Sequence, residues 1–314
     1  MKRFTLMIMA ALLMLAAVSC KKDSTTNSDS NNTNTANDGV YSPARKISDY
    51  YSWGNYDYSW IHRESWNWEN RKLMSIDHLT DYGDVSWSEL YTYQGARISR
   101  VERDGDYSRY MEFSYRTDGR IAKACYYRED QLREEYKFNY SGEKVNEIEY
   151  TGYYYDDKSS SDDYVSWLIP EHKRNMSDGD TEHIVAKIAW VGNNISKITT
   201  NYEEELEEGY TIKVESEYSM EYDAKNSPKK GFLNYYSFRE LEELYVFFNQ
   251  NNITKEKHSY KETYYYQGVQ GETYSESYEY VYSYEYDNYG YPLERVESEV
   301  GYDYQYKEKF EYLQ

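Results

Sequence analysis

Only two cysteines occur in the 314 residues, Cys20 and Cys125. A disulfide framework is therefore excluded. Five histidines, His62, His78, His172, His183 and His258, are scattered, and no pair has zinc-ligand spacing. Basic residues are also scarce, with 36 Lys and Arg against 56 Asp and Glu and a net charge of −20. That balance argues against nucleic acid as a partner, because its phosphates are repelled. Cationic partners and neutral glycans remain compatible. Beyond Leu6 to Val18, no segment is apolar enough to span a bilayer as a helix. No G-x-S-x-G, P-loop or dinucleotide fingerprint occurs. No cofactor and no metal is expected, and no catalytic residue is assigned.

The N-terminus has the pattern of a secretory signal. Lys2 and Arg3 form a positive segment, Leu6 to Val18 an apolar one, and small residues lead to Cys20. Leu15-Ala16-Ala17-Val18-Ser19-Cys20 resembles the bacterial lipobox. The resemblance implies that residues 1–19 are a lipoprotein signal peptide and that Cys20 is acylated, palmitate being the expected lipid. It places the chain at the outer membrane, lipid-anchored, on the periplasmic or the cell-surface side. Residues 20–40, rich in Ser, Thr, Asn and Asp, are too polar to fold and form a disordered tether. Asp23-Ser24-Thr25 within it resembles the O-glycan acceptor triplet of Bacteroidetes. Residues 41–314 are expected to form a single domain. With Cys20 acylated, Cys125 is left as a small core residue.

Aromatic content is high and lopsided: 43 tyrosines against 8 phenylalanines. The tyrosines enter a repeated phrase. An aromatic pair at i and i+2 precedes a polar turn, and an aliphatic pair three apart follows. Trp66 and Trp68 precede Leu73 and Ile76; Tyr91 and Tyr93 precede Ile98 and Val101; Phe113 and Tyr115 precede Ile121 and Ala124. Phe138 and Tyr140, Ile188 and Trp190, Met220 and Tyr222, and Tyr284 and Tyr286 open the later copies. Each copy encodes one β-hairpin, with Gly95, Gly119, Gly142 and Gly192 at turn positions that favour positive φ. Period-2 alternation is cleanest along 274–286, with Tyr on one face and Ser, Glu and Val281 on the other. Two aliphatics three apart fall on opposite faces of a regular strand. Either each hairpin carries a bulge, or both faces of the sheet are partly apolar. A capping box at Ser237-Phe238-Arg239-Glu240 opens a helix at about 238–249. The fold class is all-β: a strongly curved antiparallel meander of repeated hairpins, a half-barrel or open barrel, with one short helix.

Tyr115-Arg116-Thr117-Asp118-Gly119-Arg120-Ile121 and Tyr286-Asp287-Asn288-Tyr289-Gly290 resemble YD-type repeats. With the lipobox, Asn226-Ser227-Pro228, the lone helix and Asn251-Asn252-Ile253-Thr254, the chain resembles a family of Bacteroidetes outer-membrane lipoproteins of unknown function with a porin-like fold. The resemblance implies a curved antiparallel meander and transfers no catalytic residue. A true membrane barrel is the rival fold, and it requires an outward apolar band.

Carboxylates are so abundant that a glycosidase pair by chance is unremarkable, so a cryptic glycoside hydrolase is the weakest of the functional readings. The acidic run Asp156 to Asp163 offers oxygen ligands but not the fixed Gly and terminal Glu of an EF-hand. Tryptophan is concentrated in the first third of the chain, at Trp53, Trp60, Trp66, Trp68 and Trp87. Trp66, Trp68 and Trp87 are the ligand-binding candidates, since indole rings stack on sugar faces; cross-strand packing is the competing role. The expected function is a non-enzymatic binding or interaction module for a glycan or peptide, anchored to the membrane by lipid. A structural or assembly factor that engages an envelope protein is the alternative.

Overall fold

Alternating side chains put one face of a strand in the interior and the other in water, as along Thr181–Val191. In the computed structural model, residues 43–49, 60–70, 72–104, 109–153, 181–227, 248–302 and 305–312 are described, with backbone only at 43–49, 206 and 207. They form sixteen strands. The first eight are β1 (Pro43–Asp49), β2 (Trp60–Glu69), β3 (Lys72–Leu79), β4 (Val85–Gln94), β5 (Arg97–Asp104), β6 (Arg109–Tyr115), β7 (Ile121–Arg128) and β8 (Gln131–Ser141). The rest are β9 (Lys144–Tyr153), β10 (Thr181–Val191), β11 (Asn194–Glu207), β12 (Tyr210–Asn226), β13 (Asn251–Tyr266), β14 (Val269–Tyr286), β15 (Pro292–Glu299) and β16 (Gln305–Tyr312). From β2 to β16 each strand pairs antiparallel with the next, a fifteen-strand meander. The backbone of β1 then pairs with β2 on one side and β16 on the other, which joins the two edges into a ring.

The spacing of the aliphatic pair is resolved by bulges. In the first hairpin Trp66 faces Ile76 and Trp68 faces Leu73, so Met74 is the extra residue and both aliphatics turn inward. The register shifts at the same place in the hairpins β4–β5, β6–β7, β8–β9, β10–β11, β12–β13 and β14–β15. Leu73, Ile76, Ile98, Val101, Ile121 and Ala124 are all buried. The sheet is therefore apolar on one face.

Each bulge also splays its hairpin from the next. Pairing of β5 with β6 stops at Arg100 opposite Glu112 and leaves the Ile98 carbonyl without a ladder partner. The Tyr115 hydroxyl, from β6, donates to that carbonyl at 2.7 Å. The same bond recurs around the ring. Tyr93 donates to the carbonyl of Leu73, Tyr140 to that of Ile121, Trp190 to that of Val145 and Tyr222 to that of Ile195. Tyr284 donates to the Ile253 carbonyl and Tyr312 to that of Pro292. In five copies the donor is the last aromatic of the phrase, Tyr93, Tyr115, Tyr140, Trp190 or Tyr222, a role that Phe has no polar hydrogen to fill. Burial pushes the Tyr115 and Tyr140 phenols up to about 12, so they stay protonated donors. A basic residue placed just before the aliphatic caps these rings: Lys72 lies over Tyr93, Arg120 over Tyr140 and Lys144 over Trp190.

The interior is a continuous apolar and aromatic core running from Trp66 on β2 to Met220 on β12. The helix expected at about 238–249 lies outside the described residues except for its end. There Phe248 is helical and packs on Phe138 and Trp190. The acidic run Asp156 to Asp163 and Trp53 also lie outside the described residues. No helix among the described residues is long and apolar enough to cross a membrane.

The outer face is charged. Lys213 bridges Glu215 at 3.0 Å and Lys261 reaches the same carboxylate at 3.2 Å. Lys197 pairs with Glu217, Lys255 with Glu279 and Arg100 with Glu112.

Candidate functional site

Counting inward positions away from the bulges leads from an apolar layer into a polar one. On β2 and β4 the inward residue two before the first aromatic of the phrase is Glu, and on β8 Glu134 lies two before inward Tyr136. Each carboxylate accepts from that aromatic: Trp66 Nε1 donates to Glu64 at 3.0 Å, Tyr91 to Glu89 at 2.5 Å, and Tyr136 to Glu134 at 2.6 Å. These bonds satisfy groups that are otherwise costly to bury.

The three candidate tryptophans all face inward. Trp66 is 6% exposed and belongs to the core. That burial corrects the expectation that it offers a stacking face. Trp68 is half-buried against the same core. Trp87 lies higher on β4, half-buried. From β3, His78 stacks on it with centroids 3.6 Å apart at 10°; from β5, the Arg103 guanidinium lies over it at 4.2 Å. The two flanking strands thus already supply its stacking partners. Trp60 is more exposed, but Lys309 sits 3.8 Å over its ring.

What surrounds Trp87 is more informative than the ring itself. Glu89 on β4 faces Arg103 on β5, Arg103 faces Arg109 on β6, and Arg109 faces Arg128 on β7. Directly opposed residues share a face, so three arginines stand side by side across adjacent strands on the inner face. His78 Nε2 lies 3.5 Å from Glu89. A small cavity of about 20 Å³ opens among Glu89, Val101, Arg103, Arg109, Met111 and Tyr126. The row lies near the ends of its strands, beside the turn at Glu129 and Asp130, whose φ values are +51° and +62°. Sequence reasoning missed it because its members are separated by other strands. The signal was parity: Arg103 is two residues past inward Val101, and Arg109 four before inward Phe113.

Two further polar groups, one half-buried and one buried, lie on the inner face of the C-terminal strands. Arg295 Nε meets Glu308 at 2.8 Å and its guanidinium reaches Glu297 at 3.4 Å. His258 stacks on Tyr218 at 4.1 Å and shares a 3.0 Å bond with Ser216. Burial lowers its pKa to about 4, against a smaller opposing pull from Glu276. Cys125 is buried, and desolvation raises its thiol pKa, which opposes the thiolate a nucleophile requires. No cluster of three or more metal-ligating side chains occurs among the described residues.

The crystal structure of a porin-like protein from Bacteroides uniformis resembles this chain with a TM-score of 0.49 at 9% identity, covering 87% of this chain and 97% of that one. No family model and no curated protein matches the sequence.

Proposed function

We propose that this is a lipid-anchored protein of the cell envelope whose ring of strands stands in water as a non-enzymatic binding module. Cys20 carries the lipid, and the stretch after it is the tether. One observation carries the reading: the barrel is polar outside and apolar inside. A lipid-facing barrel has the reverse arrangement, and each Lys or Arg at the bilayer midplane costs about 2–4 kcal/mol. Lys197, Lys213, Lys255 and Lys261 with their carboxylate partners make the outer wall of β11 to β14 unsuited to lipid. The ligand class is a glycan or a peptide, held from the inner rim. Membership of the Bacteroidetes lipoprotein family is part of the same proposal.

Metabolic labelling with a palmitate analogue, followed by membrane fractionation, tests the anchor. Cys20→Ala is expected to lose the label and leave the membrane fraction. A C20A protein that stays in the membrane through a carbonate wash refutes it. Planar-bilayer recordings test the wall: the purified protein is expected to conduct no ions, and stable single-channel steps refute a water-exposed outer face.

A further inference from the structure

We propose that the open edge of β14, from Thr273 to Tyr278, takes an extended basic peptide as an added strand. The proposal narrows the binding-module reading to a peptide and rests on it. The edge is a product of unequal strand lengths. β14 runs from Val269 to Tyr286, but β15 covers it only from Tyr280, opposite Glu299, to Tyr286, opposite Pro292. Past Glu279, whose carbonyl accepts from the Val300 N–H at 2.8 Å, no strand among the described residues pairs with this side of β14. The other side is held by β13, through Tyr278, Glu276, Tyr274 and Thr273. Every residue from Val269 to Ser275 is exposed, on both faces of the strand, and so is Ser277.

Backbone direction fixes what the edge offers. Successive residues of a strand point their N–H and C=O to opposite sides. Glu279 points its carbonyl at Val300, so Ser277, Ser275 and Thr273 point theirs into the gap. Pairing with β13 is regular over this stretch, and the register shifts only beyond Thr273. At ~3.4 Å per residue the stretch is roughly 20 Å long, enough for a short added strand. Two devices that guard an exposed edge are missing, since β14 has no Lys and no Pro along its length. Charge selects the occupant. β14 carries Glu272, Glu276, Glu279 and Glu285 and no basic residue. The Glu276 hydrogen bond, and then burial, raises the Tyr278 phenol to about 12; burial, and then Glu299 and Glu297, raises that of Tyr280. On the outer face, Lys255 and Lys261 of β13 are engaged with Glu279 and Glu215. Tyr274, Glu276 and Tyr278 face inward, opposite Glu262, Tyr260 and His258. A Lys or Arg of the incoming strand beside Glu276 therefore meets a carboxylate, and small polar residues fit beside Thr273, Ser275 and Ser277 on the outer side. A second copy of this chain is a poorer occupant, because two chains of net charge −20 repel.

The probe is a fluorescein-labelled peptide of about eight residues, alternating Lys and Thr and blocked at both ends, matched to the length of the edge. It is titrated with the full chain and read by fluorescence anisotropy. A peptide alternating Glu and Thr is the charge control. Two N-methylated forms test strand addition: one is methylated on the Thr amides, which face β14 when Lys lies inward, and the other on the Lys amides, which face away. The Lys-Thr peptide is expected to bind and the Glu-Thr peptide not to. Methylation at Thr should weaken binding about tenfold or more, and methylation at Lys much less. In the chain, Ser275→Pro removes an N–H that points into the gap and breaks no bond to β13, so it should fold and weaken binding by a similar factor. The outer-face control Lys197→Gln should leave binding unchanged. If S275P is not folded by circular dichroism, Glu276→Lys takes its place. The proposal is overturned if the Lys-Thr peptide does not bind, if its Thr-methylated form binds as tightly, or if the folded edge variant binds like the parent. Light scattering of the chain alone should show a monomer; a dimer that S275P dissociates makes a second copy the occupant and also overturns it. A failed edge with a ligand found on a glycan array leaves the module standing. Failure of both removes the edge site and the module together.

Discussion

Replacing Tyr115 by Phe removes one oxygen from a half-buried ring and nothing else. That oxygen donates at 2.7 Å to the carbonyl of Ile98, a residue 1% exposed. The ladder between β5 and β6 has already ended at Arg100, so no backbone N–H of β6 takes over. An ordinary hydrogen bond contributes a net ~1 kcal/mol, and leaving its buried partner unsatisfied costs ~1–3 kcal/mol. The expected loss for Y115F is therefore about 1–2.5 kcal/mol, read as a lower urea midpoint at unchanged slope. In a domain of this size each kcal/mol corresponds to roughly 2–4 °C in Tm. Tyr82→Phe, at a side chain 94% exposed, is the control and should stay within about 0.5 kcal/mol of the parent. Tyr140→Phe, two strands away and so roughly 10 Å distant, breaks the equivalent bond to Ile121 and should add to Y115F. The reasoning is refuted if Y115F is as stable as the parent. In that case the tyrosines contribute through their rings alone and the hydroxyl does not stitch hairpin to hairpin.

Two further outcomes follow from the buried polar groups. His258 has a folded pKa of about 4, below the ordinary 6.5, so the unfolded chain binds its proton first as pH falls. The stability it contributes is present above pH 6.5 and is lost between pH 6.5 and 4, about 2–3 kcal/mol at one pKa unit per 1.36 kcal/mol. Urea titrations across that range on the parent and on His258→Gln should show a slope in the first that is smaller in the second; equal slopes contradict it. Arg295→Met leaves Glu308, 4% exposed, and Glu297 without their shared guanidinium. A loss of about 1–3 kcal/mol is expected from thermal melts, less than for a fully buried pair because Arg295 is partly exposed, and a double variant with Glu308→Gln should recover part of it; no recovery assigns the loss to packing.

Much of this architecture was legible in the sequence, and the reason is local. A hairpin with its bulge spans about 20 residues, so the aromatic pair, the turn glycine and the two aliphatics all lie within one window. The spacing of Ile98 and Val101 left two explanations, a bulge or a two-sided sheet, and the register decides for the bulge. The excess of Tyr over Phe had no explanation from the strand pattern alone. It follows from bonds between hairpins, whose partners, Tyr115 and Ile98 for example, are 17 residues apart and belong to different copies of the phrase. Closure of the ring was beyond reach for the same reason: β1 meets β16 across the whole length of the domain.

The candidate site was read less well, and the error has a physical form. Trp66 and Trp68 were singled out by residue type, yet they occupy the two positions nearest the bulge, where every copy of the phrase buries its aromatics. In a repeated fold a side chain common to all copies serves the repeat, and a departure from the common pattern marks what is particular to one place. On β9 and β11 inward positions above the aliphatic pair carry tyrosines, Tyr150 and Tyr202. Among the described residues, β5, β6 and β7 place arginines on the inner face in direct register. The row Arg103, Arg109 and Arg128 thus departs from the packing that the repeat requires, and what is particular to one place in this fold is read from such departures.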